Sequence, residues 1–286
     1  MPYTTLISVP ELQALMRSGA PLMVFDCSFD LAQPELGTAQ YLASHLPGAM
    51  RADLDANLSA GAGDTPASGG RHPLPSREHF AAWLSRIGLA NGMQAVVYDR
   101  NGANYCGRLW WMLKWAGHDA VAVLDGGLQA WQAAGGALAS GDEPSRAPSN
   151  FALGDPLRRL VSAQEVLAHL GNRGQTIVDA RGAPRYLGEV EPLDPVAGHI
   201  PGALNRPFGL NLGPDGLFKD AEQLRTEFAA LLGERPASSV VHQCGSGVSA
   251  IPNLLAMEVA GLGNTALFAG SWSEWCSDTS RPVERG

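Results

Sequence analysis

The chain has 286 residues and a formal net charge of −8, and its apolar residues, 45% of the total, fall in short, evenly spread runs. That length suits two domains or one large one with a substantial core, no run approaches the roughly 20 apolar residues of a membrane helix, and the start Met1-Pro2-Tyr3-Thr4-Thr5 lacks the basic-then-apolar pattern of a signal peptide. The Lys and Arg residues are scattered, so neither nucleic acid nor a membrane is expected as a partner. The four cysteines, Cys27, Cys106, Cys244 and Cys276, form no C-x-x-C pair and no zinc-like cluster, which predicts free thiols in a reducing cytoplasm.

In chain order, the first landmark is a short apolar strand, Leu22-Met23-Val24-Phe25-Asp26, followed by the turn His45-Leu46-Pro47-Gly48-Ala49. Ser59 to Pro75 is rich in Gly, Ala, Ser and Pro and reads as a surface loop. The strand Val96-Val97-Tyr98-Asp99-Arg100 comes next, then a helix holding Cys106, Leu109, Trp110 and Leu113, then Leu124-Asp125-Gly126-Gly127-Leu128-Gln129-Ala130-Trp131. These landmarks return. Thr176-Ile177-Val178-Asp179 lies 153 residues after the first strand, and His199-Ile200-Pro201-Gly202-Ala203 lies 154 after the turn. Val240-Val241-His242-Gln243-Cys244 and Phe268-Ala269-Gly270-Ser271-Trp272-Ser273-Glu274-Trp275 lie 144 after their counterparts. Four landmarks in one order mean a duplication, and the change of offset puts an insertion at Ser59 to Pro75.

Each copy alternates short apolar strands with helices. In the second, Ser162 caps a helix through Leu170 with Glu165 completing a capping box, and a strand follows at Thr176 to Asp179. A helix from Ala221 to Leu232 turns Leu224, Phe228 and Leu231 to one face. A strand from Ser239 to Gln243, a helix from Ser249 to Ala260 and a strand from Thr265 to Phe268 complete it. The fold class is α/β, with two tandem domains that each carry a central parallel sheet flanked by helices. The expected boundaries are residues 1–139, a linker at 140–150, and residues 151–286.

The segment Cys244-Gly245-Ser246-Gly247-Val248-Ser249-Ala250 carries the chemistry. A cysteine at the carboxyl end of a buried strand sits where ligand sites of open α/β sheets gather. Gly245 and Gly247 let the backbone curl through conformations other residues avoid, so that N–H groups and the following helix end form an anion nest. Such a nest favours thiolate over thiol, and after attack on an activated sulfur it would hold a persulfide anion. Ser246 and Ser249 add hydroxyl donors for an anionic substrate. Cys27, Cys106 and Cys276 read as small buried hydrophobes. A C-x5-R phosphatase would need Arg where Ala250 stands, and no G-x-S-x-G serine elbow is present.

This loop resembles the active-site loop of 3-mercaptopyruvate sulfurtransferases, CGSGVT, with Ser249 in place of Thr. Gly270-Ser271-Trp272-Ser273-Glu274-Trp275 and Leu124-Asp125-Gly126-Gly127 resemble further motifs of tandem rhodanese-like proteins, so the resemblance spans nearly the whole chain. It implies a catalytic C-terminal domain and an N-terminal domain that has lost its cysteine, in agreement with Arg100 standing opposite Cys244. It also implies a substrate-carboxylate arginine at Arg185, a structural Arg181 beside Asp179, and a position near the active site for His45. Two departures stand out. A further substrate arginine is replaced by Leu193, at a cost of ~1.5–3 kcal/mol to carboxylate recognition unless Arg51, Arg71 or Arg108 compensates. Ala269 replaces an aspartate.

The expected activity is a two-step sulfur transfer. Cys244 takes sulfur from 3-mercaptopyruvate or another small anionic donor, assisted by Ser246. Gly245, Gly247, Val248 and Ser249 hold the persulfide, and a thiol such as thioredoxin, or cyanide, removes the sulfur. No metal or organic cofactor is required. Thiosulfate is the nearest alternative donor, opposed by the neutral loop, and a non-catalytic sulfur-binding module is opposed by the intact Cys244.

Overall fold

The computed structural model describes residues 1–286. The chain forms two compact units. One comprises Met1–Thr65, Pro75–Leu157 and Pro214–Leu217, and the other comprises Pro66–Leu74, Arg158–Gly213 and Phe218–Gly286.

The first unit is built on five parallel strands: β1 (Leu6–Ile7), β2 (Leu22–Asp26), β3 (Met50–Arg51), β4 (Gln94–Tyr98) and β5 (Val121–Leu124), in the order β1-β5-β4-β2-β3. Helices α1 (Val9–Ser18), α2 (Pro34–Ala43), α3 (Arg77–Arg86), α4 (Cys106–Trp115) and α5 (Gly127–Ala133) alternate with them. All residues of β4 are buried, as expected of a central strand covered on both faces. Val24, Val96, Ala122 and Leu124 pack with Leu12, Leu128 and Trp131 in one apolar cluster.

The second unit repeats this plan. Its strands β6 (Arg159–Leu160), β7 (Thr176–Asp179), β8 (Leu204–Asn205), β9 (Val240–Gln243) and β10 (Ala266–Leu267) lie parallel in the order β6-β10-β9-β7-β8. Its helices are α6 (Ala163–Ala168), α7 (Ala183–Tyr186), α8 (Ala221–Leu232), α9 (Ile251–Val259) and α10 (Ser271–Trp275). Val241, Ile177, Phe268, Trp272 and Trp275 share its core cluster. The duplication extends to local detail. Ser8–Glu11 and Ser162–Glu165 form matching capping boxes on α1 and α6. Ala103 and Gly247 are both left-handed, at φ 63° and 74°, and so are Gly127 and Ser271, at 56° and 55°.

Three expectations change. Leu232, not Leu231, joins Leu224 and Phe228 on the buried face of α8. Residues 151–157, expected in the second domain, group with the first unit, where Phe151 N–H donates to Ser85 Oγ and Ala152 N–H to Asn91 Oδ1. The stretch Ser59 to Pro75 is not simply a surface loop, because Pro66–Leu74 folds as part of the second unit. Its glycines allow the close packing. A Cβ on Gly70, which has φ 87°, would lie 2.4 Å from the Gly270 carbonyl oxygen, and one on Gly69 would lie 2.6 Å from Glu274 Cδ.

Candidate active site

Cys244 follows β9 directly and is 2% exposed. Its backbone is clamped by the start of α10. Cys244 N–H donates to Ser271 Oγ at 3.0 Å, Trp272 N–H donates to the Cys244 carbonyl at 3.0 Å, and Ser273 N–H donates to the Gly245 carbonyl at 2.9 Å. The Gly-Ser-Trp-Ser segment therefore fixes the height at which the thiol stands.

Beyond the sulfur the loop bends sharply. Gly247 has φ 74°, and a Cβ there would lie 2.1 Å from the Ala269 carbonyl oxygen, so glycine is required on two counts. Gly245 is not left-handed, and it stands close to two guanidinium groups. A Cβ there would sit 3.3 Å from Arg71 Nη2 and 3.5 Å from Arg185 Nη1. The backbone N–H groups of Gly245, Ser246, Val248, Ser249 and Ala250 donate to no protein acceptor. Helix α9 then starts at Ile251, without a capping side chain, so its first amides are those a helix leaves unsatisfied.

The first unit shows what this loop geometry holds. There the Asp99 carboxylate accepts from the N–H groups of Asn101, Ala103, Tyr105 and Cys106 at 2.8–3.1 Å. The loop's own anion fills the nest. In the second unit that place in the repeat is taken by Gln243, a neutral, fully buried side chain with no hydrogen-bond partner. The residue opposite Cys244, Arg100, folds back onto Asp26 Oδ2 at 2.9 Å and onto Ser28 Oγ. In the second unit the corresponding Asp179 is instead held by Arg181, through its Nε at 3.1 Å and its Nη2 at 2.6 Å. Moving the counter-ion from the cysteine position to residue 181 leaves that position open for a thiol.

Around the loop stand five side chains, those of Arg71, His72, Arg185, Glu191 and Asp194. Ser246 Oγ is 2.8 Å from His72 Nδ1, and both residues are buried. Arg71 Nη1 donates to Asp194 Oδ1 at 2.7 Å. Arg185 donates to Glu191 from Nε at 3.2 Å and from Nη2 at 2.7 Å, and Nη2 also reaches Asp194 Oδ2 at 3.3 Å. Burial works against the charge of Glu191, but the Arg185 bond and the Leu193 and Asp194 N–H groups outweigh it and hold the carboxyl below its usual range.

Cys244, Ser246, Arg185, Gly245, Gly247, Val248 and Ser249 are thus brought together on the second unit. His45 is fully buried in the first unit, stacked on Tyr41, with Nδ1 2.8 Å from the Tyr41 carbonyl and Nε2 3.2 Å from Glu143. His199 repeats the arrangement on Tyr186, so this histidine is a latch of the turn in both copies. Leu193 is 45% exposed, and it contributes only its N–H, which donates to Glu191 Oε1 at 3.1 Å. Of the three arginines considered for its place, Arg51 pairs with Asp53, Arg108 is buried with the Leu58 carbonyl as an acceptor, and Arg71 reaches the loop. Sequence reasoning did not single out His72, although an Arg-His pair inside a Gly- and Pro-rich insertion was a visible signal.

The rhodanese-like domain family matches this chain at residues 8–134 and 162–278. A probable 3-mercaptopyruvate sulfurtransferase of Pseudomonas aeruginosa is 45% identical over the full length of both chains. A putative thiosulfate sulfurtransferase of Mycobacterium tuberculosis is 41% identical, over 98% of this chain and 97% of its own. Among solved structures, SseA of Escherichia coli, a 3-mercaptopyruvate sulfotransferase, is 30% identical with a TM-score of 0.79, over 95% of this chain and all of its own.

Proposed function

The chain belongs to the rhodanese-like domain family and is a sulfurtransferase, and on that premise we propose that it moves sulfur from 3-mercaptopyruvate to a thiol or cyanide through a persulfide on Cys244. The observation that carries this reading is the set of loop amides after Cys244, those of Gly245, Ser246, Val248, Ser249 and Ala250, that donate to no protein acceptor, in a loop whose first-unit counterpart holds a carboxylate.

The Cys244 thiolate attacks the donor sulfur, the S–S bond forms and the C–S bond breaks. The electron pair leaves with the carbon, which takes a proton to give pyruvate. The donor thiol brings that proton, so the persulfide is left as an anion and the charges balance. Ser246, backed by His72, is the group placed to pass the proton on. Loop amides stabilise the charge on the outer sulfur. In the second step a thiol, thioredoxin among the candidates, or cyanide attacks that sulfur, and Cys244 leaves as thiolate. Arg185 and Arg71 bind the donor carboxylate, Arg71 in the role left open at Leu193. No helix is long and apolar enough to cross a membrane, and the four buried free thiols suit a reducing cytoplasm.

The test is turnover of 3-mercaptopyruvate and thiosulfate in parallel, with Cys244→Ser as control. The reading expects a preference for mercaptopyruvate and an inactive variant. A preference for thiosulfate keeps the mechanism and overturns the donor.

A further inference from the structure

Arg71 and Arg185 come from segments far apart in sequence, yet one carboxylate joins them. Asp194 takes Arg71 Nη1 on Oδ1 at 2.7 Å and Arg185 Nη2 on Oδ2 at 3.3 Å, and its side chain is 4% exposed. Both guanidinium groups flank Gly245 beside Cys244: a Cβ there would meet Arg71 Nη2 at 3.3 Å, Arg185 Nη1 at 3.5 Å and Arg185 Nη2 at 3.6 Å, and of these only Arg185 Nη2 is engaged by Asp194. Asp194 therefore ties Arg71 to an Arg185 that Glu191 also holds, and so couples the two donors that face the reacting loop.

It also sets their charge. The cluster contains Arg71, Arg181 and Arg185 with Asp179, Glu191 and Asp194, and these positive and negative charges cancel. A neutral cluster still offers two oriented N–H donors to a carboxylate. It offers no excess positive charge to a dianion, whose second charge must be desolvated without compensation.

We propose that Asp194 is a specificity-determining residue: by bridging Arg71 and Arg185 it tunes the site to monoanionic sulfur donors and against dianionic ones. The proposal rests on the reading of this loop as the sulfur-transfer site, and it deepens that reading by fixing the charge class of the donor.

Removing one negative charge changes the local potential by a fixed amount, and the energy of a bound anion scales with its charge. The factor gained by a dianion is then the square of that gained by a monoanion. With about threefold for the monoanion, the dianion gains about tenfold.

The test uses the full chain carrying Cys244→Ser, with pyruvate as the monoanion probe and sulfate as the dianion probe, both measured by titration calorimetry. Adding Asp194→Asn is expected to tighten sulfate about tenfold and pyruvate about threefold. Asp194→Glu, which keeps the charge, is expected to hold the parent ratio, and Arg71→Gln to shift it the opposite way. Equal changes for both probes, or none, overturn the proposal. In the protein with Cys244 intact, Asp194→Asn is expected to raise thiosulfate turnover relative to mercaptopyruvate about threefold. If the parent protein turns over neither donor, the sulfur-transfer reading fails, while the two binding ratios still decide the role of Asp194.

Discussion

His72 Nδ1 lies 2.8 Å from the Ser246 hydroxyl oxygen, so a segment from the first half of the sequence holds a side chain two residues beyond Cys244. A hydroxyl held this way can relay a proton only if its neighbour completes the chain. Ser246→Ala and His72→Gln are expected to lower kcat for 3-mercaptopyruvate about a hundredfold, the usual scale of lost acid–base assistance. Thiosulfate, which has no departing carbon to protonate, is expected to lose far less. Steady-state kinetics with both donors check this, and equal losses would make the pair structural.

The segment that carries His72 and Arg71 depends on glycine. Gly70→Ala places a methyl 2.4 Å from the Gly270 carbonyl oxygen, at a φ of 87° that alanine avoids. The expected result is displacement of Pro66–Leu74, with KM for mercaptopyruvate raised about tenfold, as for a lost charge-assisted bond. Thermal unfolding measured alongside should fall by only a few degrees, corresponding to about 1–2 kcal/mol of local strain.

Arg181 is a different kind of arginine. It is 3% exposed, pairs with Asp179, donates to the Gly198 carbonyl and lies over the Trp272 ring. Arg181→Leu leaves a buried carboxylate without its counter-ion and is expected to cost about 3–5 kcal/mol, read from urea unfolding. Arg185→Leu, at the partly exposed rim, is expected to cost far less stability and more activity.

His242 gives the protein an acid-sensitive core. Burial pushes its pKa down to about 3, with the Arg206 charge acting in the same direction. The unfolded chain takes up this proton near pH 6.5 and the folded one does not until about pH 3. Stability is therefore lost as pH falls through that window, by about 1.4 kcal/mol per unit. Urea midpoints measured from pH 7 to pH 4 check this, and His242→Leu should flatten the slope.

Much of this was legible in the sequence because the informative features are local. The capping box at Ser162, the strand from Thr176 to Asp179 and the loop after Gln243 are each specified by neighbours in the chain. The repeat offset located the insertion, but composition alone made it a loop. Its docking rests on contacts of Gly69, Gly70 and Arg71 with residues about 200 positions away, which no local pattern carries. His45 shows the opposite case, a local motif with a local structural role. Its motif is shared with His199, and the motif reflects a buried turn. The role of Leu193 depends on which distant arginine reaches the loop, and that too no local pattern carries.

The proposed transfer passes through one covalent species. The direct measurement is mass spectrometry of the intact protein and its peptides after exposure to 3-mercaptopyruvate without an acceptor. The expected result is the mass of one added sulfur atom on the peptide holding Cys244. It should be discharged by cyanide with an equal amount of thiocyanate, and it should be absent from Cys244→Ser. Turnover without sulfur on Cys244, or sulfur found on Cys27, Cys106 or Cys276 instead, would contradict the account.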